Sequence, residues 1–168
     1  MTRFPIEEFS SLQTPFYFYD LKLLDRTLKE IKRTARDSRF KVHYAIKANA
    51  NPGILRCIQA AGLGVDCVSG WEIETAIEAG FRGDRIVFAG VGKSDNEIRL
   101  GLEKDIECFN VESEPELRVI SQIATEMGKT ARIAIRVNPN IDAHTHAYIT
   151  TGLAENKFGI NLEMLPGM

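Results

Sequence analysis

The feature of this sequence that most restricts its fold is a regular alternation of short apolar segments with longer amphipathic ones. Five segments have the length and composition of buried strands, and a helix-length stretch follows each of the first four. The candidate strands are residues 41–46, 64–68, 85–89, 106–111 and 131–137. Repeated strand–helix units with apolar strands predict a parallel sheet covered by helices.

The starts of the helices are marked by capping residues. A Ser-x-x-Glu pattern predicts a capping box, in which the serine accepts a hydrogen bond from the first turn and the glutamate accepts from the serine's own N–H. Asn51 followed by Pro52 predicts a further helix start. The Ser-x-x-Glu capping-box pattern occurs three times, each time after a candidate strand, at Ser69/Glu72, Ser94/Glu97 and Ser113/Glu116. Glycines are expected to end helices at Gly80, Gly101 and Gly128.

Two closures of a parallel sheet are compatible with this pattern, an open doubly wound sheet and a barrel, and the pattern favours the barrel only slightly. A complete (β/α)8 barrel needs about 250 residues, whereas this chain has 168. We therefore expect an α/β fold that is an incomplete N-terminal portion of a TIM-type barrel, with about five βα units. Before the first unit, residues 14–20 are expected to form a lone strand, and residues 21–37 a long polar helix.

Composition excludes several classes of function. Hydrophobic residues make up 44% and charged residues 26% of the chain, which is typical of a soluble globular protein. The net charge of -2 gives no general attraction to nucleic acid or to an anionic membrane. The acidic N-terminal segment lacks the apolar run of a signal peptide, so we expect a cytoplasmic protein. The cysteines indicate neither disulfides nor a zinc site, and Cys67 and Cys108 are interpreted as thiols within strands.

Three local patterns invite functional interpretations that the residues do not support well. The segment AGVGKS at residues 89–94 lacks the first glycine of a P-loop, because Val87 occupies that position. The segment DAHTH at residues 142–146 is weak support for a metal site, since no second ligand cluster accompanies it, and no metal is predicted. His43 lies in the first candidate strand and is interpreted as a structural residue.

Lys47 is the most informative residue. It lies at the carboxyl end of the first candidate strand, where lysine is rare unless it is paired or functional. Asp66 and Arg136 lie at the corresponding ends of the second and fifth candidate strands. A lysine, an aspartate and an arginine at one rim of a sheet indicate a site for an anionic aromatic cofactor.

The segments around these residues resemble those of a known family. The sequence YAIKAN at residues 44–49 resembles the pyridoxal phosphate (PLP) lysine motif of the alanine racemase-like, fold-type III decarboxylases. GVDCVS at residues 64–69, followed by Glu72, and RVNP at residues 136–139 are similar to the family's second and fifth strands. Residues 142–152 and KFGI at 157–160 are most similar to the diaminopimelate decarboxylase branch. The resemblance covers nearly the whole chain from residue 14, in matching order.

The resemblance implies a role for each site residue. Lys47 would be the catalytic lysine that carries PLP as a Schiff base, and Ala45 would line the ring pocket. Asp66 and Glu72 would organise the lysine and the cofactor, and Arg136 would lie beneath the cofactor. The loop at residues 144–157, with His144 and His146, would cover the substrate. Residues 1–20 would pack with a C-terminal β domain, and residues 21–168 would form part of the PLP-binding barrel.

The function implied by the family is decarboxylation of meso-2,6-diaminopimelate to L-lysine and carbon dioxide, the last step of lysine biosynthesis, by a homodimer. The family's later motifs for phosphate, ring nitrogen and substrate do not occur in these 168 residues, so we expect the isolated chain to be inactive. Three alternatives stay open: a non-catalytic PLP-binding protein built as a single barrel, a truncated paralogue that acts as a binding or regulatory partner of the full enzyme, and a decarboxylase of another basic amino acid.

Overall fold

The computed structural model describes residues 4–36, 40–138 and 159–167. The chain divides into two compact units, residues 1–40 and 41–168. The first unit contains a short helix and a long one. In its described residues, the second contains five strands in one parallel sheet, four α-helices and a second, two-stranded sheet. The helices are α1 (Ile6–Phe9), α2 (Leu21–Ala35), α3 (Pro52–Ala60), α4 (Gly70–Glu78), α5 (Asp95–Glu103) and α6 (Glu114–Glu126). The strands are β1 (His43–Ala45), β2 (Gly64–Cys67), β3 (Ile86–Phe88), β4 (Cys108–Val111), β5 (Ile133–Ile135), β6 (Val137–Asn138) and β7 (Ile160–Asn161).

The first unit differs in part from its prediction. The long helix forms as α2, and Asp20 caps it by accepting a hydrogen bond from the N–H of Leu23 at 2.9 Å. The strand expected at residues 14–20 pairs with no other strand among the described residues. Aromatic contacts hold the segment instead, since the Phe9 ring lies 5.3 Å from that of Phe16 and 5.1 Å from that of Phe18. A single extended segment has no ladder of its own until another strand pairs with it.

The second unit confirms the predicted parallel β/α fold. The five strands pair in the order β1-β2-β3-β4-β5, and every pairing is parallel. Consecutive parallel strands joined by helices give right-handed crossovers, which place the helices on one face of the sheet. After β5 the chain continues directly into β6, which pairs in parallel with β7. β7 is therefore a further strand that runs in the same direction as the chain leaving β5, as a continuing β/α arrangement requires.

The two faces of the five-stranded sheet differ in burial. On β2, β3 and β4, one face carries large apolar side chains that are fully or almost fully buried, and these form the core. In register, Val65 pairs with Ile86, and Phe88 pairs with Phe109. The opposite face carries Ala45, Asp66, Val87 and Cys108, which are half-buried. Because side chains alternate between faces along a strand, each strand contributes to both.

The predicted capping boxes form in only one of three cases. Ser94 and Glu97 make both reciprocal bonds. Ser69 and Ser113 cap their helices as expected. Their glutamates, however, bind the backbone N–H of the residue before the serine, at Val68 and Glu112. In this arrangement the glutamate ties the end of the strand to the start of the next helix, which a capping box does not do.

Gly101 was expected to end a helix, and this prediction is wrong. Gly101 lies inside α5, and Asp105 takes the left-handed conformation after that helix, with φ 50°. A Cβ atom at Gly101 would lie 2.8 Å from Cζ of Phe109. Glycine is required there because the helix backbone packs directly against the aromatic ring. Gly80 and Gly128 end α4 and α6 as predicted, both with positive φ.

Candidate functional site

Lys47 lies just beyond the end of β1. After Ala45 the chain leaves the strand through a single 3-10 turn, Ile46–Ala48, in which Ile46 is fully buried and Lys47 is exposed. The turn is closed by the N–H of Asn49, which donates to the Ile46 carbonyl at 2.9 Å. The buried isoleucine anchors the turn, and the backbone therefore fixes the point from which the lysine side chain extends. Among the described residues, Lys47 Nζ donates no hydrogen bond.

The hydroxyl of Tyr44 helps to hold this turn. It donates to the carbonyl of Asn49 at 3.2 Å, so the side chain of a β1 residue spans the segment that carries Lys47. Asn51 then caps α3 by accepting from the N–H of Gly53 at 2.8 Å. The motif at residues 44–49 is thus held at both ends, by a strand and by a capped helix.

Asp66 lies beside Ala45 in the sheet and is electrostatically unusual. Its Oδ1 atom is buried and has no hydrogen-bond partner among the described residues. Burial raises the pKa of the Asp66 carboxyl above its ordinary value, while the positive charges of Lys47 and His43 act in the opposite direction. Ala45 pairs in register with Asp66, and its small side chain leaves space next to the carboxyl. The structure therefore brings Lys47, Ala45 and Asp66 together.

Glu72 lies in the first turn of α4, next to the end of β2. It is buried in the first turn of α4, where its Oε2 accepts from the N–H of Val68 at 2.6 Å. Its own N–H donates to the hydroxyl of Ser69 at 3.2 Å. In the described residues Glu72 fixes the junction between β2 and α4. Any effect on Lys47 would pass through the position of that junction.

Arg136 lies between β5 and β6, at the same end of the sheet as Lys47. Its Nη1 donates to both carboxylate oxygens of Glu112, at 3.0 and 3.2 Å. The Glu112 side chain is only 4% exposed, whereas that of Arg136 is 53% exposed. The buried carboxylate thus orients a guanidinium that is still accessible. Asp66 lies on β2, and Arg136 directly follows β5, which is three strands further along the sheet.

Glu112 is a site residue that the sequence analysis missed. It directly follows β4, and that position offered the same signal as Lys47 and Arg136, which also follow strands. What the sequence did not show is its pairing with Arg136, 24 positions away. His144 and His146, expected in the substrate loop, lie outside the described residues. No group of three or more His, Cys, Asp or Glu side chains that could hold a metal ion occurs in the described ranges.

These residues fit an anionic cofactor that bears an aldehyde. An accessible amine at Lys47 can bond covalently to a carbonyl carbon. The buried Asp66 oxygen has no hydrogen-bond partner in the part of the chain that the structure describes, and a bound group with a proton or a positive charge would supply one. Arg136 offers a guanidinium, whose planar array of donors suits phosphate and other anions. The charges and donors present therefore fit PLP, which Lys47, Asp66 and Arg136 would hold.

Comparisons with known proteins agree with this geometry. Residues 21–167 match the family described as pyridoxal-dependent decarboxylase, pyridoxal binding domain. A diaminopimelate decarboxylase of Bacteroides thetaiotaomicron is 58% identical over 161 residues, which are 95% of this chain and 42% of that protein. One of Campylobacter jejuni is 42% identical over 151 residues, or 90% of this chain and 38% of that protein. The chain thus spans about two fifths of the length of these relatives.

A solved structure extends the agreement to the fold. The diaminopimelate decarboxylase of Helicobacter pylori, complexed with L-lysine, superposes with a TM-score of 0.85 and 46% sequence identity. The match covers 95% of this chain and 41% of that one. The β/α arrangement described above is therefore that of the N-terminal portion of such an enzyme. On these grounds, the chain belongs to the family of pyridoxal-dependent decarboxylases, whose pyridoxal-binding domain it matches from residue 21 to residue 167.

Proposed function

We propose that the whole protein is a PLP-dependent carboxy-lyase that converts meso-2,6-diaminopimelate into L-lysine and carbon dioxide. The observation that carries this proposal is the exposed amine of Lys47, which lies in the field of the half-buried Asp66 carboxyl at the carboxyl end of a parallel sheet. Catalytic groups of β/α barrels lie at that end. The similarity to diaminopimelate decarboxylases, at up to 58% identity, supports this choice of substrate.

Each residue would have a distinct task. Lys47 would hold the cofactor through its ε-amine, and would carry a proton at Nζ when that bond is open. Asp66 would keep positive charge close to the cofactor, since its Oδ1 atom is buried and has no hydrogen-bond partner among the described residues. Arg136, oriented by Glu112, would provide a fixed positive charge for an anionic group. Ala45 would leave room for a flat ring beside Asp66.

Bound PLP supplies an electron sink for the pair of electrons left on the substrate's α carbon when carbon dioxide departs. The protein's part is to orient the reacting groups and to limit water at the site. Buried Ile46 supports this, because it prevents the turn that carries Lys47 from moving independently of the core. Glu72 contributes indirectly, by fixing where β2 ends and α4 begins.

The remaining features of the whole protein are also part of the proposal. We propose that residues 1–20 pack with a further β domain, and that the sheet of residues 41–168 is completed into a (β/α)8 barrel. The consecutive aromatic residues of the first unit support the first point, because Phe16, Tyr17 and Phe18 are all exposed. We further propose a cytoplasmic homodimer, and a requirement for the rest of the protein in catalysis. No helix in the described residues is long and apolar enough to cross a membrane.

The test uses the complete protein. Purified protein with added PLP should release carbon dioxide from meso-diaminopimelate and form L-lysine in equal amounts, with lower rates on ornithine and arginine. Comparable rates on those amino acids would instead favour a decarboxylase of another basic amino acid. PLP binding with no carbon dioxide from any amino acid would favour the non-catalytic binding protein.

The role of Lys47 can be tested separately. Borohydride reduction of the PLP-loaded protein, followed by peptide mapping, should place the label on Lys47. Lys47→Ala should abolish the label, whereas Lys32→Ala, which removes a lysine of α2 in the other unit, should leave it unchanged. Label at another lysine, or label that persists in Lys47→Ala, would remove Lys47 from this role.

A further inference from the structure

The segment at residues 89–94, which resembles a nucleotide-binding loop, contains a lysine with a buried side chain, Lys93. The Lys93 side chain is only 1% exposed. Its Nζ donates to the Gly90 carbonyl at 2.7 Å, to the Asn110 carbonyl at 2.8 Å and to Oε1 of Glu116 at 2.6 Å. An ammonium has three donors, so every one of them is used. Lys93 is therefore not available to bind a nucleotide phosphate.

The three acceptors belong to three different structural elements at the carboxyl end of the sheet. Gly90 follows β3, Asn110 lies in β4, and Glu116 lies in the first turn of α6. The ammonium also lies 5.3 Å from the centre of the Phe88 ring, within the range of a cation–π contact. A buried charge of this kind is tolerated only when its partners are held in good geometry. Lys93 thus fixes the relative positions of three elements next to the candidate site.

A chain of contacts leads from Lys93 to Arg136. Glu116 binds Lys93 with one carboxylate oxygen, and with the other it accepts from the N–H of Glu112 at 2.8 Å. The Glu112 carboxylate, which is buried, in turn accepts from Arg136 Nη1. The backbone of Glu112 is thereby fixed by Glu116, and its side chain orients Arg136. The route contains two carboxylates and no solvent-exposed link before the guanidinium.

We propose that Lys93 is a positioning residue for the cofactor site, and that it acts through Glu116 and Glu112 on Arg136. This inference rests on the proposed function, since it assigns Arg136 to an anionic cofactor. Without the ammonium, Glu116, whose side chain is 11% exposed, would keep a charge without its cationic partner. Glu116 would then turn towards water and release the N–H of Glu112. Arg136 would lose its fixed orientation as a result.

The test is the affinity of the complete apoprotein for PLP, measured by equilibrium dialysis, which needs no catalysis. Lys93→Met keeps most of the length of the side chain and removes its charge, and should raise the Kd by about tenfold or more, as expected when a binding group is misplaced. The matched control is Lys129→Met. Lys129 also binds two backbone carbonyls and one carboxylate, at Leu102, Glu103 and Asp105, but near the amino end of β5. The Kd of the Lys129→Met variant for PLP should stay within about twofold of wild type, since Lys129 contacts no site residue among those described.

A double-mutant cycle separates positioning from general destabilisation. If Lys93 acts through Arg136, then Lys93→Met should have little further effect on the Kd in an Arg136→Gln background. An effect of the same size in both backgrounds, or an unchanged Kd in Lys93→Met alone, would overturn the proposal. Should Lys93→Met fail to fold by circular dichroism, Glu116→Gln is the second variant. It must show the same dependence on Arg136, and independence would refute the proposal equally.

Failure of this inference can be distinguished from failure of the proposed function. A wild-type protein that binds PLP but releases no carbon dioxide from diaminopimelate contradicts the proposed activity, and the cycle on Kd still decides the role of Lys93. A wild-type protein that binds no PLP contradicts both. Loss of coupling to Arg136 in a fully active enzyme contradicts only the role of Lys93.

Discussion

The two ends of the five-stranded sheet are both rich in charge, but they use it differently. At the amino end, Glu107 forms an ion pair with Lys41 and a hydrogen bond with His43, whose Nε2 lies 3.0 Å from Oε2 of the glutamate. Arg132 donates to the backbone carbonyls of Asp105, Ile106 and Glu107. Polar groups there are satisfied within the protein, which is typical of a structural end.

At the carboxyl end, one buried polar atom has no hydrogen-bond partner among the described residues. Lys93, Glu116, Glu112 and Arg136 form a paired framework, but the buried Oδ1 of Asp66 has no partner in the described residues. Exposed Lys47 lies in the field of that carboxyl. A buried polar atom without a partner destabilises the folded chain. The amino end therefore holds charges that are paired within the described residues, whereas the carboxyl end holds a carboxylate oxygen that, under our proposal, the cofactor would partner.

The largest effect should come from a pair of lysines that flank the same strand. In the complete enzyme, Lys47→Ala should lower kcat by roughly 10²- to 10⁴-fold, as is usual when a proton-transfer group is lost. Lys41→Ala, before the other end of β1, should lower it by no more than about twofold, because an exposed ion pair contributes little. Steady-state rates of carbon dioxide release, normalised to folded protein, provide the measurement. Equal losses in both variants would break the distinction between the two ends.

The second prediction concerns stability at the amino end. Glu107→Ala removes the shared partner of Lys41 and His43, and should cost about 1–3 kcal/mol of unfolding free energy. The rate per folded molecule should remain that of wild type, since no residue assigned to the site contacts Glu107. Denaturant unfolding and activity assays on the same samples would measure both quantities. A loss of activity without a loss of stability would show that the amino end also takes part in catalysis.

The third prediction is a gain in stability rather than a loss, and it concerns Asp66. Because burial raises the pKa of Asp66, its folded-state carboxyl opposes folding as the pH rises from the ordinary value of 3.8 through the raised one, and the penalty is fully present above that. Asp66→Asn should therefore raise the thermal midpoint of the apoprotein at pH 7 by about 2–4 °C, while PLP affinity falls. Asp84→Asn, which alters an exposed pair with Arg82, serves as the control and should change neither quantity. A lower midpoint in Asp66→Asn would contradict this account.

The smallest effect is a pH dependence at the amino end. Burial tends to raise the pKa of Glu107, but the hydrogen bonds from Lys41 and His43 prevail and lower it below the ordinary value of 4.5. Its contribution to stability should be complete above pH 4.5 and should be lost as the pH falls through the lowered folded-state value. Urea midpoints measured between pH 3 and pH 6 should decline less steeply in Glu107→Gln than in wild type. Parallel declines would show that Glu107 is not the group responsible.

Much of the fold could be predicted from local pattern. The five strands occur where apolar segments indicated them, and Ser69, Ser94 and Ser113 cap helices as expected. The errors arose where distant residues decide the outcome. Gly101 was read as a helix end from its type, whereas Phe109 packing against its backbone is the reason for glycine there. Residues 14–20 have strand composition, but strand pairing requires a partner that local sequence does not specify.

The candidate site divides in the same way. The sequence by itself determined that Lys47, Asp66 and Arg136 lie at one rim, because side chains that follow parallel strands share one edge of a sheet. Only the tertiary structure decided which charges are already neutralised. It joined Lys93 to Glu116 and Arg136 to Glu112, and it left an oxygen of Asp66 without a hydrogen bond among the described residues. The physical reason is that the pairing and burial of charges depend on atoms brought together from separate strands. The sequence of strands and helices along the chain and the capping of helices depend instead on residues that are neighbours in the sequence.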